Sequence, residues 1–176
     1  EAYPVARRIG EYKGKVYGIT IGINAYGVYY RPSHFREAGL DPDRFPATLE
    51  ELSAAGMKMN RYDKRGNLIR LGWMPSGLLA YSSIFGGGFY DWKTGETLTN
   101  TSANVRALTY LADYRKAIGY ENVVRYEAGL DTASFAAGWP FIAGAYSATQ
   151  NGQWRVEQLR KYAPRLDYRT APIPPP

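Results

Sequence analysis

Aromatic and amide side chains are the residues of this chain with most to offer a ligand. Its 176 residues include sixteen tyrosines, and Phe, Trp and Tyr together make up 15%. Flat rings supply apolar area with a defined orientation, which suits the C–H face of a sugar and the face of a base alike. The run Gln150-Asn151-Gly152-Gln153-Trp154 gathers three amides and an indole at what reads as a turn from strand into helix. Amides there are plausible hydroxyl partners, and a helix start adds free backbone N–H groups. Trp73 follows Gly72 at the end of another predicted strand and points either to a cleft or into a core. Tyr30 closes a short β-favouring run, Val28 to Tyr30. Ligands of open α/β sheets gather at such strand ends.

Catalytic chemistry finds less support. Glycoside cleavage needs two carboxylates about 5–10 Å apart across the bond. Thr48-Leu49-Glu50-Glu51 reads as a capping box, Asp63 and Asp91 as turn residues and Asp131 as a helix cap, which leaves Glu127 alone. The single histidine, His34, sits in a short predicted surface helix with no Ser or Asp at a recognisable spacing, so a structural role is expected. Gly86-Gly87-Gly88 lacks the Lys-Ser/Thr of a phosphate loop and reads as a flexible turn or a close backbone approach to a ligand. Cysteine is absent, which excludes thiol catalysis, zinc fingers and disulfides. No cofactor and no metal are expected.

The elements that must hold these groups alternate. Pro32 stops sheet pairing, Ser33 is placed to cap His34 to Ala38, and Gly39-Leu40 reads as a left-handed helix end with its hydrophobic contact. Asp41-Pro42 and Phe45-Pro46 keep the chain extended up to the Thr48 cap. Lys15 to Ile23 is a β-rich run, Asp63 to Gly66 a polar turn, and Leu68 to Trp73 a strand. Asn100 to Gly119 is the cleanest helix, with Val105, Leu108, Ala112 and Ile118 approximating one face. Asp131 to Ala137 reads as a short helix, Pro140 to Tyr146 as a buried strand, and Trp154 opens a helix to about Tyr162. Tyr168 to Pro176 is a proline-stiffened exit strand.

Composition bounds the answer. With 45% hydrophobic residues a packed core is feasible. No apolar run approaches the roughly 20 residues that cross a bilayer. Residues 1–10 lack the basic-then-apolar head of a signal peptide, as they would in a processed chain. The net charge of +6 and pI of about 9.4 raise nucleic acid as a partner. The basic residues are scattered among acidic and aromatic ones, however, so a solvated basic surface is expected and no nucleic-acid partner.

Tyr29-Tyr30, Phe35, Glu37-Ala38-Gly39-Leu40-Asp41-Pro42, Pro46, Thr48 and Glu51 follow one another in an order that resembles family 1 extracellular solute-binding proteins, the receptors of sugar-importing ABC transporters. Phe135, Gly138, an apolar strand, Gly152 and Trp154 resemble a second signature of that family. The resemblance runs from about Tyr12 to Pro176. It implies one lobe of a type II periplasmic-binding-protein fold, an α/β lobe with a mixed, mostly parallel sheet flanked by helices. Family members are longer, two-lobed chains, so this one reads as the second lobe without its first. Residues 1–14 would be a remnant of and crossover from the first lobe, 15–170 the ligand-binding second lobe, and 171–176 the return crossover strand. Tyr30 and Trp154 match the stacking aromatics of maltodextrin-type members, with Trp73, Ser76, Gln150 and Asn151 as further contacts. The implied function is binding rather than catalysis: a carbohydrate held between two lobes, delivered to a membrane permease, outside the cytoplasm (periplasmic or as a cell-surface lipoprotein). A glycoside-active enzyme domain, or a receptor for an anionic non-sugar ligand, is the alternative.

Overall fold

The computed structural model describes residues 4–75, 77–130 and 138–176. Helix α1 (Pro4–Ile9) leads into a small hairpin of β1 (Glu11–Tyr12) and β2 (Lys15–Val16). The β-rich run ends there. Beyond Val16 the chain makes no further ladder until residue 26, and Ile19 and Ile21 are 87% and 101% exposed. The expected strand over 15–23 therefore shrinks to a hairpin arm, because no neighbouring strand among the described residues offers the rest a partner.

Strand β3 (Tyr26–Tyr30) enters the main sheet and turns at Arg31 into α2 (Pro32–Glu37). Pro32 occupies the first helical turn, where its missing N–H costs nothing, so Arg31 rather than Ser33 is the N-cap. The helix closes as expected. Gly39 has φ +71, Leu40 N donates to Phe35 O and Gly39 N to Arg36 O. Thr48 caps α3 (Leu49–Met59) by accepting from Glu51 N, while the Glu51 carboxylate reaches back one residue further, to Ala47 N. A β4–β5 hairpin (Arg61–Tyr62, Leu68–Met74) follows, its turn held by Asp63 accepting from Arg65 N and Asn67 N. Then come α4 (Leu78–Ile84), α5 (Ser102–Ile118), α6 (Tyr120–Ala128), β6 (Tyr146–Gly152), α7 (Trp154–Tyr162) and β7 (Arg169–Ala171).

The sheet order is β4-β5-β6-β3-β7. It is mixed and flanked by helices, but less parallel than expected: β5–β6 is parallel, while β4–β5, β3–β6 and β3–β7 are antiparallel. The helical crossovers from β5 to β6 and from β6 to β7 do join strands of like direction. Strand β3 inserts between β6 and β7 running the other way, and the short β4–β5 turn forces one more antiparallel pair.

The core is aromatic. Trp73, Tyr81, Phe35 and Phe141 are essentially fully buried, each contributing about 1.5–3 kcal/mol by removal from water. Helix α3 lies so close to β5 that a Cβ on Gly72 would overlap the Gly56 carbonyl, and Asn60 Oδ1 accepts from Gly72 N at 2.8 Å. Helix α5 buries Asn104, Ala107, Leu111, Tyr114 and Ile118 and leaves Val105 and Leu108 about half exposed. Of the expected face only Ile118 is buried, because Asn104, although polar, is the residue that goes inside and rotates the helix. Its amide donates to Gly88 O and Leu98 O, which tie down the glycine-rich loop. Helix α6 has no counterpart in the sequence reading; it places Glu127 3.1 Å from Arg115, the partner that reading lacked. Residues 139–145 form turns rather than a strand, and β6 begins only at Tyr146. The predicted helix over 131–137 lies outside the described residues.

His34 is buried rather than on the surface. It is 6% exposed, with Nδ1 3.0 Å from Ser147 Oγ. Burial first, then the Arg70 and Arg31 charges, lower its pKa from 6.5 to about 4. The folded state thus holds it neutral where the unfolded chain would be protonated. Its contribution is complete above pH 6.5 and drains away as pH falls from there towards 4. Stability from urea unfolding should drop across that window by up to about 3 kcal/mol, and His34→Gln should flatten that part of the profile. A parallel loss in both proteins would assign the acid sensitivity to the carboxylates instead.

Candidate functional site

The β3–β6 register decides which predicted residues can meet. Tyr26 pairs with Gly152, Val28 with Gln150 and Tyr30 with Ala148. Tyr30 and Trp154 consequently lie towards opposite ends of the sheet, four residues or ~13 Å apart along β3. Tyr30 is 5% exposed, its hydroxyl donates to Pro42 O at 3.1 Å, and its ring packs against Phe35 and Phe45. Trp73 is fully buried, with Nε1 donating to Tyr110 Oη at 3.3 Å. Neither can offer a face to a solute: both expectations are corrected to core packing. Each strand delivers its aromatic to the sheet interior, one at the far end of β3 and the other beneath α3 and α5.

Trp154 is different. It is the first residue of α7, just past the carboxyl end of β6, and stays 37% exposed. Its six-membered ring occupies the space a side chain at 152 would fill, so Gly152 is what lets the indole lie down on the sheet edge. Beside it stands Tyr26, 54% exposed, ring centroids 5.5 Å apart and planes at 87°. Sequence reasoning missed Tyr26, since only the register sets it across from Gly152. The amino end of β3 and the carboxyl end of β6 share this edge, while β5, parallel to β6, stops three residues short of it at Thr149.

The amides divide. Gln150 is 6% exposed, and its Oε1 is buried without a hydrogen-bond partner among the described residues. An orphaned acceptor of this kind costs roughly 1–3 kcal/mol, two positions along β6 from the glycine under Trp154. Asn151 Oδ1 accepts from Gly152 N and from Arg155 Nε, so its carbonyl is committed to the strand-to-helix junction. Gln153, a plausible hydroxyl partner by sequence, is also engaged: its side chain binds the backbone of Ala25 and Ile23. Ser76 lies outside the described residues. Trp139 is buried with the Arg155 guanidinium 4.5 Å from its ring centre, and Trp92 is exposed against Tyr90.

Charges gather elsewhere. Glu37 pairs with Arg70, Glu127 with Arg115, Glu157 with Arg160 and Asp43 with Arg169. Among the described residues no three His, Asp or Glu stand close enough to hold a metal ion. A concavity of about 490 Å³ opens beside Tyr26 and Gln153, bounded by Val156 and by Thr170 to Pro172 of the exit strand. Its volume is in the range of small-molecule sites, but it is a shallow, open depression, and Trp154 stands outside its lining.

The geometry is that of a mixed α/β sheet with an exposed aromatic corner at the carboxyl end of β6. The chain belongs to the bacterial extracellular solute-binding protein family, whose profile it matches over residues 2–176, and is therefore extracytoplasmic. Among solved structures it is similar to CpMnBP1 with mannobiose bound, at 26% identity and TM-score 0.85 over 98% of this chain. It is also similar to the cyclic α-maltosyl-1,6-maltose binding protein of Arthrobacter globiformis (24%, TM-score 0.70, 98% of this chain). UgpB of Mycobacterium tuberculosis, in complex with glycerophosphocholine, shares the fold at 20% identity and TM-score 0.71 over 99% of this chain. The chain spans 44%, 42% and 43% of those three structures, less than half of each. No curated protein matches it.

Gly152→Ala tests whether the indole depends on the bare Cα beneath it. The added methyl should push Trp154 outward, raise its acrylamide quenching and cost about 1–3 kcal/mol through overpacking. Unchanged quenching would show that the ring does not rest there.

Proposed function

We propose that this chain is the second lobe of an ABC-importer receptor and binds an oligosaccharide, without cleaving it, against Trp154. The observation that carries this is the half-exposed indole lying on Gly152 at the sheet edge. A sugar's C–H face laid on such a ring gains oriented apolar burial, and buried polar groups nearby supply discrimination. Gln150, with its unpartnered acceptor, is the second contact. Asn151 contributes what its amide nitrogen leaves free, and Ser76 belongs to the same reading. Mannose oligomers come first as candidates, because the solved relative at 26% identity holds mannobiose and, in a second structure, mannotriose.

The remaining parts follow the two-lobe plan. Residues 1–14 are the crossover from the first lobe, 15–170 the binding lobe and 171–176 the return. Exposed Ile19, Ile21 and Ile23 alternate with Gly18, Thr20 and Gly22, the pattern of a strand with one apolar face awaiting a sheet. The first lobe supplies the other half of the cleft, the two close about a hinge on the ligand, and the closed form docks on a membrane permease. No cofactor enters this scheme. The enzyme alternative needs paired carboxylates at the corner, whereas Glu157, one turn into α7, is engaged by Arg160.

Native mass spectrometry of the chain with mannobiose, mannotriose, maltose, free monosaccharides and glycerophosphocholine tests the reading. An adduct at the mass of an intact sugar, weakened at least tenfold by Trp154→Ala with unfolding still cooperative, is the expected result. Shortened sugars would make it an enzyme. An adduct with glycerophosphocholine alone would make it a receptor for a non-sugar phosphodiester.

A further inference from the structure

The β3–β6 ladder ends at Tyr26 and Gly152, but the pairing does not. Gln153 N donates to Ala25 O at 3.0 Å, Ala25 N donates to Gln153 Oε1 at 2.8 Å, and Gln153 Nε2 donates to Ile23 O at 3.0 Å. A side-chain amide thus imitates the next stretch of backbone and carries the sheet one step further, while the main chain has already turned into α7. Gln153 is the N-cap residue, a position that favours a short side chain bonded to its own helix. Its side chain makes no such bond. The amide is spent instead on the segment that brings Tyr26 in.

This clasp has one geometric consequence. It fixes residues 23–25 against the start of α7, and so fixes the two exposed rings that flank it. Tyr26 is the next residue after Ala25, and Trp154 the next after Gln153. Their right-angled contact follows from a shared anchor. The Tyr26 hydroxyl makes no hydrogen bond among the described residues, so its ring is positioned by the β3 ladder behind it, the clasp ahead of it and the indole.

We propose that Tyr26 is a ligand-contacting residue forming the second wall of the Trp154 subsite, and that Gln153 is its positioning residue. The corner takes one pyranose ring, apolar face on one aromatic and rim against the other. This rests on the sugar-receptor reading above. Two perpendicular walls select a ring thick enough to touch both, which discriminates a pyranose from a planar or linear solute of equal polarity.

Titration calorimetry with mannotriose tests it on the wild-type chain and five variants. Tyr26→Ala should weaken binding about tenfold, and Tyr26→Phe should stay within about threefold, because the ring is the wall. Gln153→Glu is the discriminating change. A carboxylate still accepts from Ala25 N but turns a second acceptor onto the Ile23 carbonyl, so binding at pH 7 should fall about tenfold. As pH is lowered towards 4.5, the protonated acid donates again, and affinity relative to wild type should recover. Gln153→Ala should weaken binding at both pH values. Near-UV circular dichroism, which senses the coupled Tyr26 and Trp154 rings, should change in Gln153→Glu at pH 7 and return with acid, even without sugar. If Trp154→Ala abolishes binding while Tyr26→Ala and Gln153→Glu bind as wild type, the corner is wrong and the receptor site stands. If Trp154→Ala binds as wild type, or the wild-type chain binds no sugar, both readings fall.

Discussion

The antiparallel register of β3 against β6 is the constraint on which the rest of this molecule depends. Pairing Tyr26 with Gly152 sets its ring across from the one residue of β6 that lacks a side chain, in the space where the indole lies. A slip of one residue would exchange the two faces of β3, drive Tyr29 out of its packing with Trp139 and Phe141, and separate Tyr26 from Trp154. The register is secured on both sides. Strand β7 pairs with the far edge of β3, and Tyr29 Oη donates to Gly152 O across the sheet.

Tyrosine and tryptophan serve two purposes here, separated by desolvation. Inside, their polar atoms are largely satisfied by one another or by backbone: Trp73 Nε1 by Tyr110, Tyr114 Oη by the Trp73 carbonyl, Tyr126 Oη by Ala145 O. Tyr81 is an exception, fully buried with a hydroxyl that lacks a partner among the described residues, and burial raises its pKa. At the open edge, Tyr26 and Trp154 keep their rings half in water, where stacking with a solute can still release that water. The same residue type thus builds the core and the corner, and only its place in the sheet tells which.

Much of the local structure was legible in the chain. The Gly39 helix end, the Thr48 cap and the Asp63 turn all came from interactions within about six residues, so short-range chemistry was enough to read them. The family resemblance pointed to a mixed α/β lobe and to the neighbourhood of Trp154. It was less informative about residues that look alike in sequence and differ in burial. Tyr30 and Trp73 read as well for a cleft as for a core. The α5 face was misjudged because Val105 and Leu108 are more apolar than Asn104, yet Asn104 had three carbonyls waiting for it.

By itself the sequence determined the alternation of strands and helices, the residues that begin and end them, and an aromatic-rich, cysteine-free chain. These follow from backbone geometry and from side chains bonding to near neighbours. Tertiary structure alone decided that β3 would run against β6, that Gln153 would reach 130 residues back to Ile23, and that His34 would be buried on Ser147. Such pairings depend on which distant segments share a sheet edge. That is a matter of packing the whole core at once, and no window of sequence contains it.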